Sequence, residues 1–292
     1  MTPPAVSADL WTARRRRTDE LGERWPFAGE VLTLYRALLE VQERAFGSVR
    51  TDPPNASDVA KYTARRVLPE VAAVSTVRGP ERLVYSVTER ARDTAADEEI
   101  VRRWLAGEEL EPIDRYLARA AAGPVLEALG AFAREACAGP RDDRHCPNCG
   151  GLPQLSWFGP SSEDLVTAHR YLECGRCGAS WAYPRMTCAA CGEHDTALLA
   201  IFGEKGTGQA EIDGRFVRGA AGPREATVAE HRPRFPHIRV DGCWTCSRYL
   251  LSIDVGRDAQ AVPAVDELAA IPLDLYAKER GMTKIMPNLM GY

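Results

Sequence analysis

At 292 residues, with 45% hydrophobic and 27% charged side chains, the chain has a globular composition and room for one large or two ordinary domains. A collagen-like or mainly disordered chain is excluded, and no run approaches the roughly 18–20 uninterrupted apolar residues of a membrane helix. The 37 basic and 41 acidic residues, net −4, lack the basic excess of a domain built to hold nucleic acid.

Residues 1–10 have no apolar core like that of a secretory signal, and Arg14 to Arg17 follow at once, so a cytoplasmic location is expected. From Glu30 to Phe46, Val31, Leu34, Tyr35, Leu38, Val41 and Ala45 recur with helical spacing, Leu39 and Phe46 widening the stripe. Pro26 precedes this helix and Asp52-Pro53-Pro54-Asn55 breaks it. A second helix is expected from Ser57 to Arg66, capped by Ser57 or Asn55. Shorter helices follow at Glu98 to Leu105 and Ile113 to Ala121. Gly123-Pro124 restarts the chain into a helix over Val125 to Cys137, where Cys137 reads as a small buried hydrophobe. The polar, turn-rich run 139–144 places a domain boundary there.

The remaining eight of nine cysteines form four Cys-x-x-Cys knuckles: Cys146/Cys149, Cys174/Cys177, Cys188/Cys191 and Cys243/Cys246. In a reducing compartment this spacing marks metal ligands rather than disulfides. Two intervening residues let one tight turn aim both sulfurs at one ion, and its N–H groups offset their charge. Glycine follows three of the four knuckles, where a positive φ is wanted. Two knuckles give a tetrahedron of thiolates, suited to zinc or to a rubredoxin-type iron. Pairing in chain order makes Cys146, Cys149, Cys174 and Cys177 one site and Cys188, Cys191, Cys243 and Cys246 the other, with interleaved pairing left open. The first loop then encloses 24 residues, a hairpin ribbon, and the second 51. That longer loop holds strand-like pieces at Ala197 to Phe202, Phe216 to Arg218 and His237 to Val240, with turns at Gly203 to Gly208 and Gly219 to Pro223. Only ten residues, including Trp181, Tyr183 and Pro184, separate the ribbons, so the two sites should pack together. The expected fold is α+β: a helical domain over 1–140, a first rubredoxin-like or zinc-ribbon β module over 141–187, and a second, elaborated ribbon with a C-terminal helix and tail over 188–292.

The run 146–153, with Arg170 to Cys174, Trp181, Arg185 and the knuckle at Cys188/Cys191, resembles the FdhE family of formate dehydrogenase accessory proteins. The tail is similar too: Asp266 to Ala269, Pro272 to Asp274, then Lys284, Pro287, Asn288, Leu289 and Gly291. The resemblance covers most of the chain and is tightest from Cys146 onward. The interval 192–242 is longer than the family pattern, and the tail ends in Met290-Gly291-Tyr292. The resemblance implies a helical N-terminal domain, two rubredoxin-like sites with iron as the metal, and binding to the catalytic subunit of formate dehydrogenase during its assembly.

No catalytic residue or organic cofactor site is expected. None of the five histidines (His145, His169, His194, His231, His237) lies in a His-Glu-x-x-His helix, and no Gly-x-Ser-x-Gly elbow occurs. The run 203–208 reads as a hairpin turn, not a phosphate loop. Asp142-Asp143 and Asp266-Glu267 read as solvated charges or helix caps. A non-enzymatic maturation factor is thus set against three alternatives: a nucleic-acid-binding zinc ribbon, a rubredoxin-like electron carrier and a thiol oxidoreductase. Seven basic against six acidic residues over 200–242 speak against nucleic acid. Trp157, Phe158, Trp244 and Tyr249 either anchor a partner or cover the small ribbon cores. Neither the partner surface nor the oligomeric state is written in the sequence.

Overall fold

The protein is seen in a computed structural model that describes residues 8–92, 94–159, 168–204, 210–212, 215–217 and 233–292. The first half is helical: α1 (Ala8–Arg24), α2 (Gly29–Thr51), α3 (Val59–Arg66), α4 (Leu68–Arg78), α5 (Glu81–Arg90), α6 (Asp97–Ala106), α7 (Pro112–Leu129) and α8 (Ala133–Ala136). α2 begins and ends beyond the expected stripe, at Asp52 just before the two prolines. α3 starts after a single 3-10 turn, and neither Asn55 nor Ser57 makes the expected side-chain cap.

α7 does not restart at Pro124 as the sequence had implied; it runs straight through. Proline has no N–H to give to the carbonyl four residues back, so the Ala120 oxygen loses its helical donor. Gln42 of α2 replaces it, its Nε2 donating to Ala120 O at 3.0 Å. The helical end then breaks at Gly130 (φ 57°), passes a 3-10 turn and stops at Cys137, which is buried as expected.

The second half supplies β1 (Pro153–Phe158), β2 (Arg170–Cys174), β3 (Ser180–Ala182), β4 (Leu199–Phe202), β5 (Ala210–Ile212), β6 (Arg215–Val217), β7 (Ile238–Cys243) and β8 (Arg248–Asp254). Then come α9 (Pro263–Ala269), α10 (Ile271–Glu279) and β9 (Thr283–Lys284). The expected strands in the longer loop appear as β4, β6 and β7. Arg218, the turns 205–208 and 219–223, and His231 lie outside the described residues.

The two ribbons are one sheet, in the order β3-β2-β1-β8-β7-β4, with β9 also on β8. β1, β2 and β3 form an antiparallel meander, as do β4, β7 and β8; the two meet where β1 runs parallel to β8, Leu155 opposite Leu251. At this joint the buried Ser156 and Ser252 hydroxyls hydrogen-bond, and Ser252 Oγ donates to Asp241 Oδ2 at 2.5 Å.

Helices and sheet share their cores. One core joins Leu34, Leu38 and Val41 of α2 to α3, α6 and α7 and to all four cysteines of the first two knuckles. A second joins Trp11, Leu21, Leu32, Tyr35 and Leu39 to the sheet and to Val265 and Leu268 of α9. α2 is therefore a plank with a face in each. Between the ribbons, Leu172, Tyr183, Ala189, Leu250 and Ile285 form a small third cluster.

Candidate metal centres

Chain-order pairing is what the fold produces. Cys146, Cys149, Cys174 and Cys177 converge, as do Cys188, Cys191, Cys243 and Cys246, with ligand atoms within 4.8 Å of one another. Across the first group, Cys146 Sγ lies 3.5 Å from Cys177 Sγ and Cys149 Sγ 3.4 Å from Cys174 Sγ. In the second, Cys188–Cys246 and Cys191–Cys243 are 3.7 and 3.8 Å apart. A tetrahedron with metal–sulfur bonds of about 2.3 Å has edges of about 3.8 Å, so both donor sets fit one four-coordinate ion each.

Local backbone chemistry builds each knuckle. The Gly150, Gly178 and Gly192 amides return to the carbonyls of Cys146, Cys174 and Cys188 at 2.9, 3.1 and 2.9 Å. These turns need positive φ, which the glycines adopt (70°, 69° and 83°) and Ser247 supplies at 54° in the fourth. The amides of Arg176 and Ala190 point at Cys174 Sγ and Cys188 Sγ, at 3.3 and 3.4 Å. Glu193, which sequence reasoning passed over, accepts from Thr245 Oγ1 at 2.7 Å and so ties the third knuckle to the fourth.

Burial separates the two groups. All four sulfurs of the first lie in the helix-backed core, whereas Cys191 is exposed and Cys246 half-buried. Around the first, Arg176 Nη1 donates to Ala138 O at 3.0 Å and Cys149 O at 2.8 Å. Arg14 pairs with Glu127 at 2.8 Å, and burial pushes the Glu173 carboxyl up to about 8 against the pull of Arg14. Hydrogen bonds from its three neighbours hold the Cys146 thiol low, while burial and the bonds with Cys146 and Cys149 push Cys174 up. Four thiolates this close require a cation to coexist.

No family model matches the chain. A protein FdhE homolog of Aquifex aeolicus is 31% identical over 148 residues, 51% of this chain and 42% of that protein. One of Pseudomonas aeruginosa is 29% identical over 146 residues, 50% of this chain and 38% of that protein. These matches span about two-fifths of the relatives' own length. With the homolog of Pseudomonas putida the likeness is 25% over 322 residues, taking in 99% of this chain and 91% of that protein. Similarity to FdhE proteins thus extends over nearly the whole chain. The crystal structure of the FdhE protein from Pseudomonas aeruginosa has the same fold, with TM-score 0.62 at 20% identity over 98% of this chain and 97% of that one.

Other sequence expectations fare differently. Asp266 and Glu267 are not solvated charges; both are buried. Arg17 Nε donates to Asp266 Oδ2 at 3.0 Å, Arg17 Nη2 reaches Asp258 Oδ2 at 2.6 Å, and His237 Nε2 lies 2.8 Å from Asp266 Oδ1. His237, Asp258 and Asp266 have the chemistry of a cation site, and the Arg17 guanidinium is the cation that the two carboxylates hold. Glu267 and Asp274 share Lys284, at 2.6 and 2.9 Å. Asp142 stays on the surface, 2.6 Å from His145 Nδ1 beside the first knuckle. Of the four candidate anchors, Phe158 and Tyr249 are buried, Trp157 stacks on Tyr171 at 4.5 Å, and Trp244 remains 38% exposed.

Proposed function

We propose that this chain is a non-catalytic accessory protein of the cytoplasm that binds the catalytic subunit of formate dehydrogenase and is needed to assemble the active enzyme. The supporting observation is the fusion of two four-cysteine groups into one helix-backed sheet, in a family whose accessory role the sequence resemblance implies. Among the described residues, the other group with metal-ligand chemistry is closed by Arg17. The geometry suits holding a partner rather than turning over a small substrate.

A metal ion bound by each group supplies four bonds to sulfur and fixes two knuckles relative to each other; iron is favoured by the resemblance and zinc fits equally. The chain's own residues do the rest. The turn amides hold the sulfurs in register, Glu193 and Thr245 brace the second group, and the Ser156–Ser252 joint makes both ribbons move as one. A surface ordered before docking loses less conformational entropy on binding. A rubredoxin-like electron carrier is the second reading, favoured by the exposure of Cys191.

The test is co-expression of the tagged full chain with the dehydrogenase catalytic subunit in a host lacking its own accessory protein. Capture of the subunit together with restored formate oxidation is expected. Full formate oxidation without the chain, and no capture, overturns the reading. A reversible visible redox spectrum without capture favours the carrier.

A further inference from the structure

We propose that the cleft between the N-terminal ends of α5 and α7 and the last turn of the chain binds a carboxylate on an apolar stem, either a free short-chain acid or the C-terminal residue of a peptide. The cleft encloses about 370 Å³. Leu34, Leu83, Ile113 and Leu289 give it an apolar wall; Arg82, Arg115 and Arg119 face it, and no Asp or Glu side chain lines it. It shares no residue with either four-cysteine group and is independent of the accessory role.

Three features make the cleft a receptor for an anion. First, the guanidiniums of Arg82 and Arg115 have no hydrogen-bond acceptor or ion-pair partner among the described residues. Asp114, beside Arg115 in the chain, is taken by Arg90 at 2.5 Å, whereas Arg119 is committed to Pro287 O and Gln154 Oε1. Second, two helices of ten and eighteen residues begin at the rim, and neither has a side-chain cap on its first-turn amides. Their aligned peptide dipoles add positive potential where the guanidiniums already stand. Third, Asn288, only 2% exposed, is among the residues lining the cleft, and its amide Nδ2 has no acceptor. Its orientation is fixed because Oδ1 accepts from the amides of Met290 and Tyr292, at 3.0 and 3.1 Å. A buried donor left unpaired is costly, and an anion oxygen would relieve it.

The apolar wall narrows the class. A carboxylate matches the planar fork of a guanidinium, and a hydrocarbon stem fills the leucine-lined side. Inorganic phosphate satisfies the first requirement only.

Calorimetric titration of the metal-replete full chain tests this, with hexanoate, hexanamide, inorganic phosphate, and acetyl-Leu-Leu as free acid and as amide. Both acids should saturate the site and both amides should fail. Arg82→Gln with Arg115→Gln should weaken acid binding by at least about tenfold, ~1.4 kcal/mol, with metal content and circular dichroism unchanged. Tighter binding of the peptide acid than of hexanoate assigns a peptide C-terminus; equal or weaker binding assigns a free acid. The proposal is overturned if amides bind as well as acids, if phosphate outcompetes both acids, if the double variant binds unchanged, or if no acid binds by about 10 mM.

Discussion

Gly151 stands closer to the thiolates than a side chain could. A Cβ there would lie 2.8 Å from Cys174 Sγ and 3.3 Å from Cys149 Sγ, so Gly151→Ala must force the first two knuckles apart. The substituted chain is expected to purify with metal in the second four-cysteine group alone, which metal analysis would read as half the unsubstituted content. Undiminished content would contradict this. Asp258 carries the other residue-scale prediction. Burial works against its charge, but the hydrogen bonds from Arg17 and the Gln260 amide, with the Arg17 charge, together outweigh burial and hold the carboxyl below its ordinary range. A depressed carboxylate contributes stability that is complete above the unfolded value of about 3.9 and lost as pH falls through the folded one. Asp258→Asn should therefore be less stable than the unsubstituted chain at pH 7, the gap closing below about pH 4. Urea midpoints across that range check it, and a gap unchanged at low pH would refute the pairing.

At the scale of elements, α7 offers the sharpest test. Gln42→Leu leaves the Ala120 carbonyl buried without a donor and should cost about 1–3 kcal/mol in chemical denaturation. Pro124→Ala returns a backbone N–H to that carbonyl, so in the Gln42→Leu background it should recover most of the loss; additive effects would exclude the exchange. The same pair shows where sequence reading stops. A proline marks a helix boundary unless something distant takes over the orphaned carbonyl, and Gln42 lies far away in sequence. α1 escaped notice for a related reason: its inward face holds Arg14 and Arg17 among Trp11, Thr18 and Leu21, paired with Glu127 and Asp266 from far along the chain. Asp266 and Glu267 looked like solvated charges because their cations, Arg17 and Lys284, are equally remote. The cysteine knuckles were legible since each is complete within five residues, with its thiolates, its turn and its positive-φ residue side by side. The strands between them were legible too, but their joining into one sheet was not. It rests on parallel pairing of segments about a hundred residues apart.

For the whole molecule, the two four-cysteine groups differ in what surrounds them. The first is part of the helical core, so an ion bound there could leave only if the junction of α7, α2 and the sheet opened. The second presents Cys191 at the surface beside the exposed Trp244, where a chelator can reach it. The central claim is that both groups bind metal and that these bonds organise the C-terminal half on the helical scaffold. The most direct measurement is a chelator titration of the purified full chain, following metal content, sulfur coordination by X-ray absorption and circular dichroism together. Two ions per chain are expected, each bound by four sulfurs. One should leave early with the helices intact, and the other only as the fold is lost. A chain that purifies without stoichiometric metal, or that keeps its fold after both ions are stripped, would contradict the account.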